Sequence, residues 1–140
     1  FVYLCGPVRR ASAQLRTYRE GIPPLDALSA LYEFADGTSG MLATVRATPF
    51  YWRVHVFGSE GSAEALGETE LVLRMSGKQT ERIQLDNTNS LRAELEAFAD
   101  AVENRAPYPI SEEQMLATVS AFEATVRSVE SGEPVIIPGS

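Results

Sequence analysis

The chain has 140 residues, 44% of them hydrophobic and 22% charged, and a formal net charge of −7. This length is one domain with enough interior to need no disulfide or metal staple, and the acidity excludes a nucleic-acid backbone as partner, since that binding needs clustered cations. No apolar run reaches bilayer length and no signal-type segment opens the chain, so no membrane partner is expected, while Cys5, the sole cysteine, permits no internal disulfide and fits a reducing, cytoplasmic setting.

Phe1-Val2-Tyr3-Leu4 reads as the tail of a helix running into a Gly6-Pro7 stop, and this opening in mid-phrase is expected of a piece of something longer. From Val8 to Tyr18, Ala11, Ala13 and Leu15 alternate with Arg10, Ser12, Gln14 and Arg16, which predicts a half-buried strand near a sheet edge. Gly21 to Leu25, with Pro23-Pro24, is a loop. Leu28, Ala30, Tyr32 and Phe34 then alternate with Ser29, Leu31, Glu33 and Ala35; Asp36-Gly37 turns the chain and Met41 to Val45 returns. Both faces of that hairpin carry apolar residues, as in a strand covered on two sides.

Thr48-Pro49-Phe50-Tyr51 interrupts the pattern before a strand from Trp52 to Phe57 with Val54 and Val56 inward. Gly58-Ser59-Glu60-Gly61-Ser62 is a turn, because its glycine spacing fits neither a dinucleotide fingerprint nor a Walker loop. Leu71 to Met75, a Ser76-Gly77-Lys78 turn and Glu81 to Leu85 make a second hairpin with Ile83 and Leu85 facing in.

Two helices follow, framing Pro107-Tyr108-Pro109. In the first, Leu91, Leu95, Phe98 and Val102 share one face. The second opens on a capping box, Ser111 with Gln114, and has Glu112 and Glu113 where the helix dipole favours acid. Met115, Val119, Phe122, Val126 and Val129 form its apolar stripe; Gly132 stops it, Pro134 prevents resumption, and Val135-Ile136-Ile137 is a short strand. The expected class is α+β: a mostly antiparallel open sheet with helices packed on one face, the other face available for subunit contact, in a single domain over 1–140.

Chemistry has few places to reside. Eleven of the twelve basic residues are arginine, so a lysine acid/base mechanism has only Lys78, in a turn. His55, the one histidine, lacks metal-ligand partners. Glu94 and Asp100 sit on different faces of their helix, and Glu123 reads as a helix-surface glutamate or as a partly buried carboxylate. Arg9, Arg10, Arg16 and Arg19 read as a solvated strand face or as an anion site.

Four phrases nevertheless carry a resemblance. Ala30 to Gly40 resembles the A-x-x-x-F-x-x-G-x-x-G hairpin of the C-terminal domain of the Gfo/Idh/MocA oxidoreductases. Val54 to Gly61 looks like that family's i-x-v-x-G-x-x-G strand and turn, and Glu94 to Val102 like its E-x-x-x-F-x-x-A-I helix. Ala121 to Val135 is similar to its closing A-x-x-A-x-x-x-S-x-x-x-G-x-x-V. The phrases occur in family order over nearly the whole chain.

The resemblance implies a parent oxidoreductase of two domains, with an N-terminal Rossmann domain binding NAD or NADP and this domain supplying substrate contacts and the oligomer interface. The nucleotide fingerprint, the catalytic lysine and the acid/base pair of the family belong upstream of Phe1, so this chain is expected to bind no cofactor and to be inactive alone. Its expected partners are a second copy through the sheet face, the Rossmann domain and a small sugar- or polyol-like substrate. The resemblance places substrate-lining residues at Thr48, Phe50 and Tyr51, with Arg46 near; an aromatic cluster packing Trp52 is the other account of the two rings. A self-standing dimeric interaction module is the competing reading from another class.

Overall fold

The computed structural model describes residues 1–17, 27–46 and 48–139. The Gly21–Leu25 loop, Tyr18 and Arg19 lie outside the described residues. The elements are α1 (Val2–Cys5), β1 (Val8–Arg16), β2 (Ala27–Phe34), β3 (Ser39–Val45), β4 (Arg53–Gly58), β5 (Gly61–Leu66), β6 (Glu70–Met75), β7 (Glu81–Gln84), α2 (Ser90–Val102), α3 (Glu112–Ser131) and β8 (Val135–Ile136). The class is α+β with antiparallel pairing throughout, and the strands divide between two open four-stranded sheets, β3-β2-β1-β8 and β4-β5-β6-β7. The chain forms two compact units, Phe1–Thr48 with Pro109–Ser140, and Pro49–Tyr108. Among the described residues no helix is long and apolar enough to cross a membrane.

In the first unit the core is Val8, Ala11, Ala13, Ala30, Tyr32, Phe34 and Ala124. The β2–β3 turn is held by Asp36, whose Oδ1 accepts hydrogen bonds from Thr38 N at 2.9 Å and Thr38 Oγ1 at 2.7 Å. Those donors hold its carboxyl below the ordinary range. Gly37 takes φ 88°, open to glycine at little cost. Gly40 lies under the Phe34 ring, where a Cβ would come within 3.0 Å of the ring edge. The hairpin phrase thus follows from packing one buried phenylalanine against backbone.

Helix α3 begins with the predicted capping box: Gln114 N donates to Ser111 Oγ at 3.2 Å, and Ser111 N donates to Gln114 Oε1 at 3.0 Å. It ends on Gly132 in the left-handed region, φ 73°. Of the predicted stripe only Val129 packs on the core; otherwise the face turned to the sheet is a different one. Ala124, Thr125 and Ser128 are buried and Ala117 and Ala121 half-buried, whereas Met115, Val119, Phe122 and Val126 are exposed. Residues 117, 121, 124 and 128 repeat the 4-3-4 spacing of 115, 119, 122 and 126 two positions later. At about 100° per residue the two stripes lie on opposite sides of the helix.

The small stripe wins because the helix must come close to β1, whose inward residues are Ala11 and Ala13, and its polar atoms finish the sheet. Strand β8 pairs with β1 at Arg10 and Ala11 only. The next outward-pointing amide, Ala13 N, donates instead to Ser128 Oγ at 2.9 Å, with Ser128 buried. Thr125 Oγ1 donates to Ala121 O at 2.7 Å and lies 3.0 Å from Tyr32 Oη. Its one proton being committed, it accepts from the tyrosine.

The second unit is a meander plus a helix. Strand β5 was not anticipated, and the predicted Gly58–Ser62 turn shortens to Ser59-Glu60 as β5 begins at Gly61. Gly61 lies so close to β6 that a Cβ would stand 2.1 Å from Arg74 O. By register Val54, Ala65, Leu71 and Ile83 share one face with Val56, Ala63 and Leu73. That apolar face is only partly covered: Val54 and Val56 are exposed, contrary to the inward placement expected of them. The enclosed residues, Glu64 and Val72, lie on the opposite, polar face. Helix α2 is capped by Asn89, whose Oδ1 accepts from Arg92 N at 3.0 Å. It buries no residue, so the expectation that both helices bury their large stripes on the sheet fails for α2 as for α3. Its Phe98 meets Tyr108 edge to face at 6.2 Å, which folds the Pro107-Tyr108-Pro109 segment back on the helix.

Candidate functional site

The segment between β3 and β4 is where substrate contacts were expected. Arg46 and Thr48 follow β3 in the first unit and are exposed. Phe50 and Tyr51 open the second unit, with 90% and 68% of their surfaces exposed. None of the aromatic pairs among the described residues includes Phe50, Tyr51 or Trp52, so the alternative of a packed aromatic cluster has no ring contact behind it.

The other candidates resolve one by one. Glu123 is exposed and paired with Arg127 one turn on, at 3.9 Å, as a helix-surface glutamate. Arg9, Arg10 and Arg16 are exposed residues of the β1 region. His55 is half-buried, its ring 3.9 Å from that of Phe57. Among the described residues no His, Cys, Asp and Glu cluster could hold a metal ion. An open groove of about 830 Å³ between α1, the first turns of α3 and the last residues is lined by Tyr3, Val8, Gln114, Leu116, Ser120 and Ile137 among others; no histidine, cysteine or lysine lines it.

One charged centre was missed. Glu64 is buried on the polar face of the second sheet, directly across from His55. Its Oε1 lies 3.2 Å from Arg53 Nη1 and 4.0 Å from His55 Nδ1, and its Oε2 2.8 Å from Arg74 Nη1. The Arg74 guanidinium beside it holds the carboxyl below its usual range against the opposing pull of burial, and the charges of His55 and Arg53 act the same way as Arg74. The signal was present: a two-residue turn at Ser59-Glu60 pairs Gly58 with Gly61 and therefore His55 with Glu64.

Residues 1–64 match the sequence profile of the GFO/IDH/MocA C-terminal domain. No curated protein matches the chain. Among solved structures, an oxidoreductase from Agrobacterium radiobacter in complex with NAD+, L-tartaric acid and magnesium has 15% identity and a TM-score of 0.80, covering 96% of this chain and 45% of that one. An aldose-aldose oxidoreductase from Caulobacter crescentus complexed with glycerol has 17% identity and a TM-score of 0.76, covering 97% and 43%. Biliverdin reductase from Synechocystis sp. PCC 6803, in complex with biliverdin and NADP+, has 19% identity and a TM-score of 0.74, covering 93% and 43%. At these identities the likeness is one of fold, and the chain spans less than half the length of the structures it matches. The chain is thus similar to the GFO/IDH/MocA C-terminal domain over residues 1–64 and shares the fold of these structures over nearly all its length.

Proposed function

We propose that this domain supplies the substrate contacts and the oligomer interface of an NAD- or NADP-dependent oxidoreductase acting on a sugar, polyol or similar hydroxylated molecule. The nucleotide is held by a Rossmann domain elsewhere in the protein, and the domain is inactive alone. Two of the matched relatives carry NAD+ or NADP+, and a third is an aldose-aldose oxidoreductase. A reducing cytoplasm suits the free thiol of Cys5.

The observation that carries the oligomer reading is the open face of the first sheet. Leu31 and Met41 are cross-strand partners there, 61% and 73% exposed, with Val45 on the same face and α3 on the other. Contiguous apolar surface of this kind supports association, and the twofold dimer is the commonest form of homo-oligomer. For the substrate, Phe50 and Tyr51 present bare rings and Arg46 and Thr48 hydrogen-bond donors.

Light scattering on the chain, with NADH and NADPH titrations alongside, tests the reading. A dimer or larger species that ignores both nucleotides is expected; a monomer that binds either one overturns it. In the full-length enzyme Tyr51→Ala is expected to raise KM several-fold with kcat little changed, and unaltered kinetics would remove Tyr51 from the substrate contacts.

A further inference from the structure

The polar face of the second sheet holds a charge arrangement that the reading above does not use. Glu64 faces His55 and Val72 across its two neighbouring strands. Arg53 stands two positions along in one direction, at the register of Leu66, and Arg74 two positions along in the other, at the register of Ser62. The two arginines thus reach one carboxylate along opposite diagonals, and each takes a different oxygen. The carboxylate side chain is 7% exposed, but those of Arg53 and Arg74 are 55% and 41% exposed.

The charges do not cancel. One carboxylate stands against two guanidinium groups, leaving one positive charge in surplus even with His55 neutral. The remaining arginine of this face, Arg82, is paired with Glu70. The surplus therefore sits at Arg53 and Arg74, on a chain whose net charge is −7. Each guanidinium has five N–H donors and directs one nitrogen at Glu64, so most of its donors remain for another acceptor. Arginine donors held in place by a buried anion lose little further freedom on binding, and planar forks suit the spacing of two oxygens on one carbon or phosphorus. Phe57, exposed and stacked on His55, gives the patch an apolar border.

We propose that Arg53 and Arg74, aimed by the buried carboxylate of Glu64, form a binding site for a single oxyanion group, a carboxylate or a phosphate. The site stands on the sheet's own geometry and does not depend on the roles of Arg46 to Tyr51. Its ligand is an acidic small molecule or an acidic group of a partner, and Glu64 is a positioning residue.

The test is a titration of the chain with inorganic phosphate and, separately, succinate at constant ionic strength, followed through the arginine side-chain N–H signals in nitrogen-15 spectra. Saturable shifts at Arg53 and Arg74, but not at Arg82, are expected for at least one probe, and the probe that saturates earlier identifies the phosphate or carboxylate source. Arg53→Gln leaves the Arg74–Glu64 pair in place and should weaken binding roughly tenfold or more. Arg53→Lys keeps the charge without the fork and should fall between Arg53→Gln and the parent. Arg82→Gln should change nothing. Shifts that grow linearly without saturation, or an equal loss in Arg82→Gln and Arg53→Gln, would show general screening of surface charge and overturn the site.

Discussion

Ser128→Ala isolates the role of one hydroxyl in finishing a sheet. In the native chain Ser128 Oγ accepts the hydrogen bond of Ala13 N at 2.9 Å, and both residues are buried. Removing the oxygen leaves the Ala13 amide without an acceptor and without access to water. An orphaned buried donor costs about 1–3 kcal/mol, well above the net worth of an ordinary hydrogen bond. Taking about 2 kcal/mol, the melting temperature of a chain this size should fall by roughly 6–12 °C. Ser131→Ala, at an exposed position near the same helix end, should cost less than about 0.5 kcal/mol. Thermal unfolding by circular dichroism gives the stabilities, and hydrogen exchange supplies the residue-specific readout, a selective loss of protection at the Ala13 amide. If Ser128→Ala melts with Ser131→Ala and Ala13 exchange is unchanged, the serine does not cap the strand.

Three further outcomes follow from the same packing. Tyr32→Phe removes a donor from Thr125 and should cost about 1 kcal/mol, whereas Thr125→Val strands the buried tyrosine hydroxyl and should cost about 1–3 kcal/mol by urea denaturation. Ala124→Leu forces bulk between α3 and β1 and should destabilise by roughly 1–3 kcal/mol, while Phe122→Ser, on the exposed stripe, should stay within about 0.5 kcal/mol. Glu64→Gln should lower the melting temperature at neutral pH. Because the carboxyl's folded pKa is lowered from 4.5, its stabilisation is present above that value and lost as pH falls through the folded one, so parent and variant should converge on the acid side in pH-dependent melts.

What could be read in the residues was mainly local geometry. Asp36-Gly37, the Ser111–Gln114 box and Gly132 each specify a backbone conformation through their immediate neighbours, and each is found as expected. The buried face of α3 is not the one its large apolar residues indicate, because size alone does not mark the interior. Here the partner strand is alanine-rich and the closest approach selects Ala121, Ala124 and Ser128. Strand β5, Gly61–Leu66, has none of the β-branched or aromatic residues that announce a strand; pairing on both sides supplies what propensity lacks. Glu64 escaped notice for the same reason, since it becomes a charged centre only once that strand lies between Arg53 and Arg74. Phe50 and Tyr51 were singled out through resemblance, and their exposure alone would not have distinguished them from Phe57 or Phe122.

The serine plug on β1 also limits how the first sheet can grow. An edge that offers free amides and carbonyls can recruit another strand, and a sheet with two such edges can add copies without end. At one end of this sheet β8 is only two residues long, and the next amide along β1 already donates to a helix side chain. The other end, β3, offers seven residues. By edge pairing the first sheet is therefore lopsided, like a zipper with one end already stitched: Arg10, Ala11 and Ala13 of β1 are engaged by β8 and Ser128, and the longer row of backbone groups lies along β3.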